Sequence, residues 1–119
     1  MKSYTELGVW IEARNLVNSV YEVTKNFPKE EAFGLTSQIR RSSISIPSNI
    51  AEGCGRNSTK ETIHFLFIAR GSLYELETQL YLSNDQKYIT EEELNKIQEQ
   101  VVTSKKLLNG FINYYKKNK

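Results

Sequence analysis

Residues 45–56 read Ser45-Ile46-Pro47-Ser48-Asn49-Ile50-Ala51-Glu52-Gly53-Cys54-Gly55-Arg56, or "SIPSNIAEGCGR". Two isoleucines stand four apart with a proline between them, and two glycines close the stretch. Extended upstream, the apolar or small positions become Ile39, Ser43, Ile46, Ile50 and Gly53, alternating by four and three. That is one stripe of an α-helix. Pro47 lacks an N–H and its ring meets the carbonyl of Ser43, a cost of about 3 kcal/mol in a helix interior. The hydroxyls of Ser43, Ser45 and Ser48 are close enough in sequence to take up a freed carbonyl, so the proline predicts a bend and not a break. Gly53 and Gly55 then predict the helix end, one of them in a left-handed cap.

Three other runs share the period. Trp10, Ala13, Val17, Val20, Thr24 and Phe27 form the first. Leu66, Ala69, Leu73, Leu76 and Leu80 form the third. Leu94, Ile97, Val101, Ser104, Leu108, Phe111 and Tyr115 form the fourth. Three of the four helices open on S/T-x-x-E, namely Ser3–Glu6, Ser58–Glu61 and Thr90–Glu93, where a hydroxyl and a carboxylate can cap reciprocally. Thr36 is the candidate cap of the second. Alternation by three and four is the seam of helices packed near +20°, and no segment alternates with the period of a strand. Short connections near Asn57 and Asp85–Ile89 favour antiparallel neighbours. The expectation is an all-α, up-down four-helix bundle in a single domain, with helices at about 4–26, 36–54, 58–84 and 90–116.

The third run has more apolar surface than one seam uses. Phe67, Tyr74 and Tyr81 recur every seven residues on a separate stripe, with Arg70 and Glu77 between them, and Phe65, Ile68 and Leu82 widen it. A helix apolar nearly all round has more than one covered side. Three readings stand: half-exposed tyrosines with wet hydroxyls, a self-association face built on Phe67, Tyr74, Tyr81 and Leu82, or rings that stack on bases.

Composition excludes more than it selects. With 119 residues there is room for one core without a staple. The one cysteine, Cys54, forms no internal bridge and suits a reducing, cytoplasmic setting. No apolar run reaches membrane-spanning length and Met1–Tyr4 carries no hydrophobic signal core, so a soluble protein away from membranes is expected. A single histidine, His64, builds no triad, and one His with one Cys builds no usual zinc site. Neither phosphate-loop signature occurs. Glu75 and Glu77 point about 200° apart on a helix and are no carboxylate pair, while Glu91–Glu93 complement a helix dipole. No enzyme, metal or cofactor is expected.

The polar side of the second helix (Gln38, Arg41, Ser45, Ser48, Glu52, with Ser42 and Asn49 beside it) is made mostly of short side chains, which would let another surface come close. Net charge is only +2, but it is unevenly spread. Arg40, Arg41, Arg56 and Lys60 outnumber Glu52 and Glu61 nearby, and the last fifteen residues hold five lysines and no acid. A solvated basic face with local ion pairs and a phosphate-binding face both remain open.

"LTSQIRRSSISIPSNIAEGCGR" (Leu35–Arg56), "FLFIARGSLYELETQL" (Phe65–Leu80) and "VWIEARNLVNSVYEVTKNFP" (Val9–Pro28) together resemble the four-helix-bundle proteins encoded in intervening sequences of bacterial 23S rRNA genes, the S23 or intervening-sequence family. The resemblance implies helical hairpins assembled into a ring, commonly a pentamer, with no enzymatic activity attached. It also relates the chain to accessory proteins of diversity-generating retroelements, whose pentameric barrels bind nucleic acid and a reverse transcriptase. Ser42-Ser43 stands where many relatives carry alanines, and Cys54 where they often carry an aromatic.

The combined expectation is a non-enzymatic oligomer that binds RNA or DNA through Arg40, Arg41, Arg56, Lys60 and Arg70, the last lying within the aromatic stripe. The competing expectation is a scaffold that grips another protein, for example a reverse transcriptase or a ribosomal component, without touching nucleic acid.

Overall fold

A computed structural model describes residues 3–118. Four helices follow one another: α1 (Gly8–Thr24), α2 (Leu35–Cys54), α3 (Thr59–Asp85) and α4 (Glu91–Lys117). Short 3-10 turns precede α1 (Tyr4–Glu6) and α2 (Lys29–Glu31), and there is no strand among the described residues. Each helix packs on two neighbours, α1 on α2 and α4, and α3 on α2 and α4. Cross-links at Ser45–Ser72 and Gly53–Thr62 run α2 and α3 antiparallel, and those at Arg70–Asn109 and Glu77–Lys105 do the same for α3 and α4. The result is an antiparallel four-helix bundle of 46 × 25 × 22 Å. At 1.5 Å per residue the two 27-residue helices account for about 40 Å of that length.

The α2 and α3 stripes pack as their spacing predicts: Ile39, Ser43, Ile46, Ile50, Leu66, Ala69, Leu73, Leu76 and Leu80 are all buried. Burying each leucine or isoleucine contributes about 1.5–3 kcal/mol. Elsewhere the seam shifts. In α1 the buried positions are Val9, Ala13, Leu16, Val20 and Thr24, while Trp10 and Val17 are half-buried at its edge. The buried set shares Ala13, Val20 and Thr24 with the expected stripe and sits one residue earlier at the other two places. Trp10 packs against the core from outside and meets Tyr4 edge-on at 5.4 Å. In α4, Ile112 takes the place expected of Phe111, and Phe111 and Tyr115 stay half-buried. A straight helix turns 3.6 residues per turn, so a 3.5-residue stripe drifts by the fifth turn.

Two of the expected caps form. Thr90 and Glu93 make a full capping box, and Ser58 Oγ accepts the N–H of Glu61. Ser3 instead accepts from Thr5 and caps the 3-10 turn, so α1 begins at Gly8 and not near residue 4. Thr36 does not cap α2: its hydroxyl is buried without a partner. The N–H of Leu35 donates to Glu31 Oε1 at 3.1 Å, and Glu31 Oε2 accepts from Tyr88 Oη at 2.9 Å. One carboxylate thus caps α2 and holds the α3–α4 turn. That hydrogen bond, with burial and the nearby charges of Glu31 and Glu30, raises the Tyr88 pKa above its ordinary value.

α2 continues unbroken through Pro47. The Ser42 and Ser43 hydroxyls donate one turn upstream of the expected place, to the carbonyls of Gln38 and Arg40. No described glycine has positive φ, and Gly55 at φ −86° is ordinary helical backbone, so the left-handed cap does not form. Gly53 serves close approach instead. A Cβ there would lie 3.1 Å from the Thr62 carbonyl and 3.2 Å from Phe65 Cβ. The left-handed residue is Lys87 (φ 66°), in the turn between α3 and α4.

Candidate nucleic-acid interface

α3 presents two different sides. Towards α2 it turns Thr62 and Ser72, both buried. Thr62 Oγ1 donates to the Gly53 carbonyl at 2.8 Å and Ser72 Oγ donates to Ser45 Oγ at 2.9 Å. Asn49 Nδ2 donates to the carbonyl and hydroxyl of Ser45. Ser42, Ser45 and Asn49 are therefore used inside the subunit: the small side chains of α2 let α3 come close, and only Gln38, Arg41, Ser48 and Glu52 are left exposed.

Towards α4 the spacing of three and four puts Phe67, Arg70, Tyr74 and Glu77 on one line. Arg70 Nη1 donates to Asn109 Oδ1 at 3.1 Å, and Lys105 Nζ donates to Glu77 Oε1 at 2.8 Å. The same cations lie over rings. The Arg70 guanidinium is 4.7 Å from the centre of Phe67, Lys116 Nζ is 5.3 Å from the same ring, and Lys105 Nζ is 4.4 Å from that of Tyr74. All are within the distance at which a ring's negative face attracts a cation. The rings are not covered: Tyr74 is 51% and Tyr81 53% exposed, and Phe67 is exposed too. Leu82 and Ile68 are also exposed, each about 100° round the helix from the ring before it.

Arg70, Phe67 and Tyr74, assigned above to two separate roles, thus share one strip with Lys105 and Lys116. The two lysines read from sequence only as part of a basic tail. Their spacing on α4 holds the signal, but the register of α4 against α3 is needed to use it.

The other basic candidates are not brought together. Arg40 is half-buried: its Nε donates to Thr24 Oγ1 at 2.8 Å and its guanidinium lies 4.5 Å from the ring of Tyr21, tying α2 to α1. Arg41 is exposed beside an open cleft of about 490 Å³ lined by Phe33, Ser37, Gln38, Ser42, Ser45 and Glu75. Arg56 pairs with Glu52 at 3.1 Å and lies 4.6 Å from the ring of Phe65, near the exposed Lys60. Arg41 and Arg56 stand about 20 Å apart along α2, at opposite ends of the bundle.

Charge differs between those ends. When each helix is divided at its midpoint, the half where α1 begins and α4 ends (residues 3–16, 45–72 and 104–118) holds eight Lys or Arg and four Glu. The other half (17–44 and 73–103) holds six Lys or Arg and ten Asp or Glu. The described part of the bundle is neutral in sum and strongly polar along its axis.

Cys54 is half-buried and desolvation raises its thiol pKa, which keeps it protonated. His64 is exposed and meets Phe65 edge-on, at 5.6 Å. Among the described residues no three His, Cys, Asp or Glu are placed to hold a metal ion, and no helix is long and apolar enough to cross a membrane.

These features define an antiparallel helical bundle with a cationic and aromatic strip between α3 and α4. Residues 5–110 match the 23S rRNA-intervening sequence protein family, and the chain belongs to that family. No curated protein matches it significantly. Among solved structures it is similar to a protein of unknown function from the S23 ribosomal protein family of Bacteroides thetaiotaomicron VPI-5482. That structure was solved at 1.70 Å, with 29% identity and a TM-score of 0.78 over 87% of this chain and 97% of that one.

Proposed function

We propose that the protein is a non-enzymatic nucleic-acid-binding bundle that acts as an oligomer. The observation that carries this reading is the α3–α4 strip, where Arg70, Lys105 and Lys116 sit on the exposed rings of Phe67 and Tyr74. Phosphates attract the cations, and rings with an open face stack on bases. Arg41, Arg56 and Lys60 add positive charge away from the strip. Repetition around a ring of subunits multiplies a modest charge per chain. A pentamer is the number the family resemblance suggests, and exposed Leu82, Ile68 and Tyr81 offer apolar surface for subunit contact.

The test is binding of a fluorescent RNA or DNA oligonucleotide over a range of salt. The affinity should fall by about 0.7–0.9 log units per decade of salt for each phosphate neutralised. Arg70→Ala with Lys116→Ala should lower that slope and weaken binding while leaving the helical signal intact. A flat salt response, or unaltered binding by the double variant, overturns the reading. For the assembly, light scattering should give a mass several-fold the monomer, reduced by Leu82→Glu.

The protein-scaffold reading keeps one observation of its own. Phe33 is wholly exposed on the ordered connection between α1 and α2, beside exposed Ile44 and Tyr21. If that surface is the functional one, the protein purifies with a nucleic-acid-free absorbance ratio, and Phe33→Ser abolishes partner capture without changing the oligomer.

A further inference from the structure

From two observations separate from the α3–α4 strip, we infer that the protein prefers single-stranded nucleic acid and seats an unpaired base in the groove between the start of α1 and the end of α4. This rests on the nucleic-acid reading above and adds to it a place, a strandedness and a stacking partner.

The first observation is the groove. It is an open cavity of about 370 Å³, lined by Leu7, Val9, Leu107, Phe111 and Tyr114 around Gly8 and Gly110, with Lys106 at its rim. A Cβ added at either glycine would meet nothing within 4 Å, so space is open above both backbones. Tyr114 is the most exposed tyrosine, at 57%. Its ring is nearly parallel to that of Phe111, at 8° with centroids 6.5 Å apart. A planar base laid on Tyr114 is therefore parallel to Phe111 as well. An open apolar groove with the exposed Tyr114 ring beside it and one ammonium in its lining fits a base with its phosphate outside. A duplex keeps its bases stacked inside and cannot present one without unpairing.

The second observation is the charge polarity. The groove lies in the basic half, where Lys106, Lys116 and Lys117 are exposed. The acidic half carries Glu91–Glu93 and Asp85, which repel a polyanion. A strand with a base in the groove stays in the favourable field if it runs over α4 towards Lys116 and Phe67. Running the length of the bundle towards Arg40 and Arg41 carries it into the acidic half.

The experiment compares a fluorescein-labelled single-stranded 20-mer RNA with the duplex of the same sequence, using the full-length protein at fixed salt. The single strand should bind at least tenfold more tightly. Tyr114→Ala, an exposed position whose loss leaves the core intact, should weaken single-strand binding by about ten- to a hundredfold and leave the salt slope unchanged. Gly110→Leu fills the groove at a site with free space and should do the same, with thermal melting as the check on folding. Lys106→Ala should lower the slope by about 0.7, as expected for one lost contact to a single strand. Lys96→Ala, exposed in the acidic half, should change little.

The inference is overturned if the duplex binds as well as the single strand, or if Tyr114→Ala and Gly110→Leu bind like the parent. Either result leaves the nucleic-acid reading standing. If the parent protein binds neither RNA at low salt, both fail together.

Discussion

The two sides of α3 are made of different residues and do opposite work. Towards α2 they are small: Thr62, Ser72 and the facing Gly53 and Ser45 bring two backbones close, and their polar atoms are satisfied within the subunit. Towards α4 they are large: Phe67, Arg70 and Tyr74 meet Lys105 and Lys116, and the two rings stay exposed. Most of the first side is buried within the subunit. The second keeps its rings exposed, with Lys105 also paired to Glu77 and Arg70 to Asn109. A row of short polar residues in a sequence invites a binding interpretation, yet here it is the seam, and the bulky row is the surface.

That contrast is easiest to break at Gly53. Gly53→Val puts methyl groups against the Thr62 carbonyl and Phe65, and should destabilise the fold by about 3 kcal/mol. Thermal melting followed by circular dichroism should show a midpoint lower by about 10 °C. A larger change in bulk on the other side, Tyr74→Ala, should alter stability by no more than about 0.5 kcal/mol. Equal losses at the two sites would erase the distinction drawn here.

Smaller effects sharpen it. A double-mutant cycle of Ser45→Ala and Ser72→Ala, read by urea denaturation, should give a coupling of about 1 kcal/mol across the α2–α3 seam. Lys87→Gly relieves left-handed backbone in the α3–α4 turn and should stabilise by about 1 kcal/mol, net of the greater freedom glycine has when unfolded. The smallest expected effect is at Tyr88. Its folded pKa lies above its ordinary value near 10. Its contribution is therefore fully present below that value and fades as pH rises through the folded pKa. Urea midpoints should fall more steeply above pH 10 in the parent than in Tyr88→Phe.

Much of the architecture is legible before any coordinates. Local alternation marks four helices, because a buried stripe recurs at the period of the helix whatever it packs on. The caps at Ser58 and Thr90 follow from backbone donors only three residues away. Legibility fails where the partner is distant in sequence. Thr36 is a better-looking cap than Glu31, until the 3-10 turn brings the Glu31 carboxylate to the N–H of Leu35. Trp10 and Val9 fit the first stripe equally well, and only packing against α2 and α4 chooses Val9. Among the candidate binding residues, Arg70 and the aromatic stripe are visible from spacing, while Lys105 and Lys116 join them only through the register of α4.

By itself, the sequence determines the helical class, the antiparallel order and most of the core, because each follows from periodicity and short connections. Tertiary structure decides the rest. It spends Arg40 on α1 and Ser45 on α3 and separates Arg41 from Arg56. It also lays two lysines on two rings and gathers positive charge at one end of the bundle. Those are contacts between residues tens of positions apart, set by how four stripes settle against one another, and no local pattern encodes that settlement.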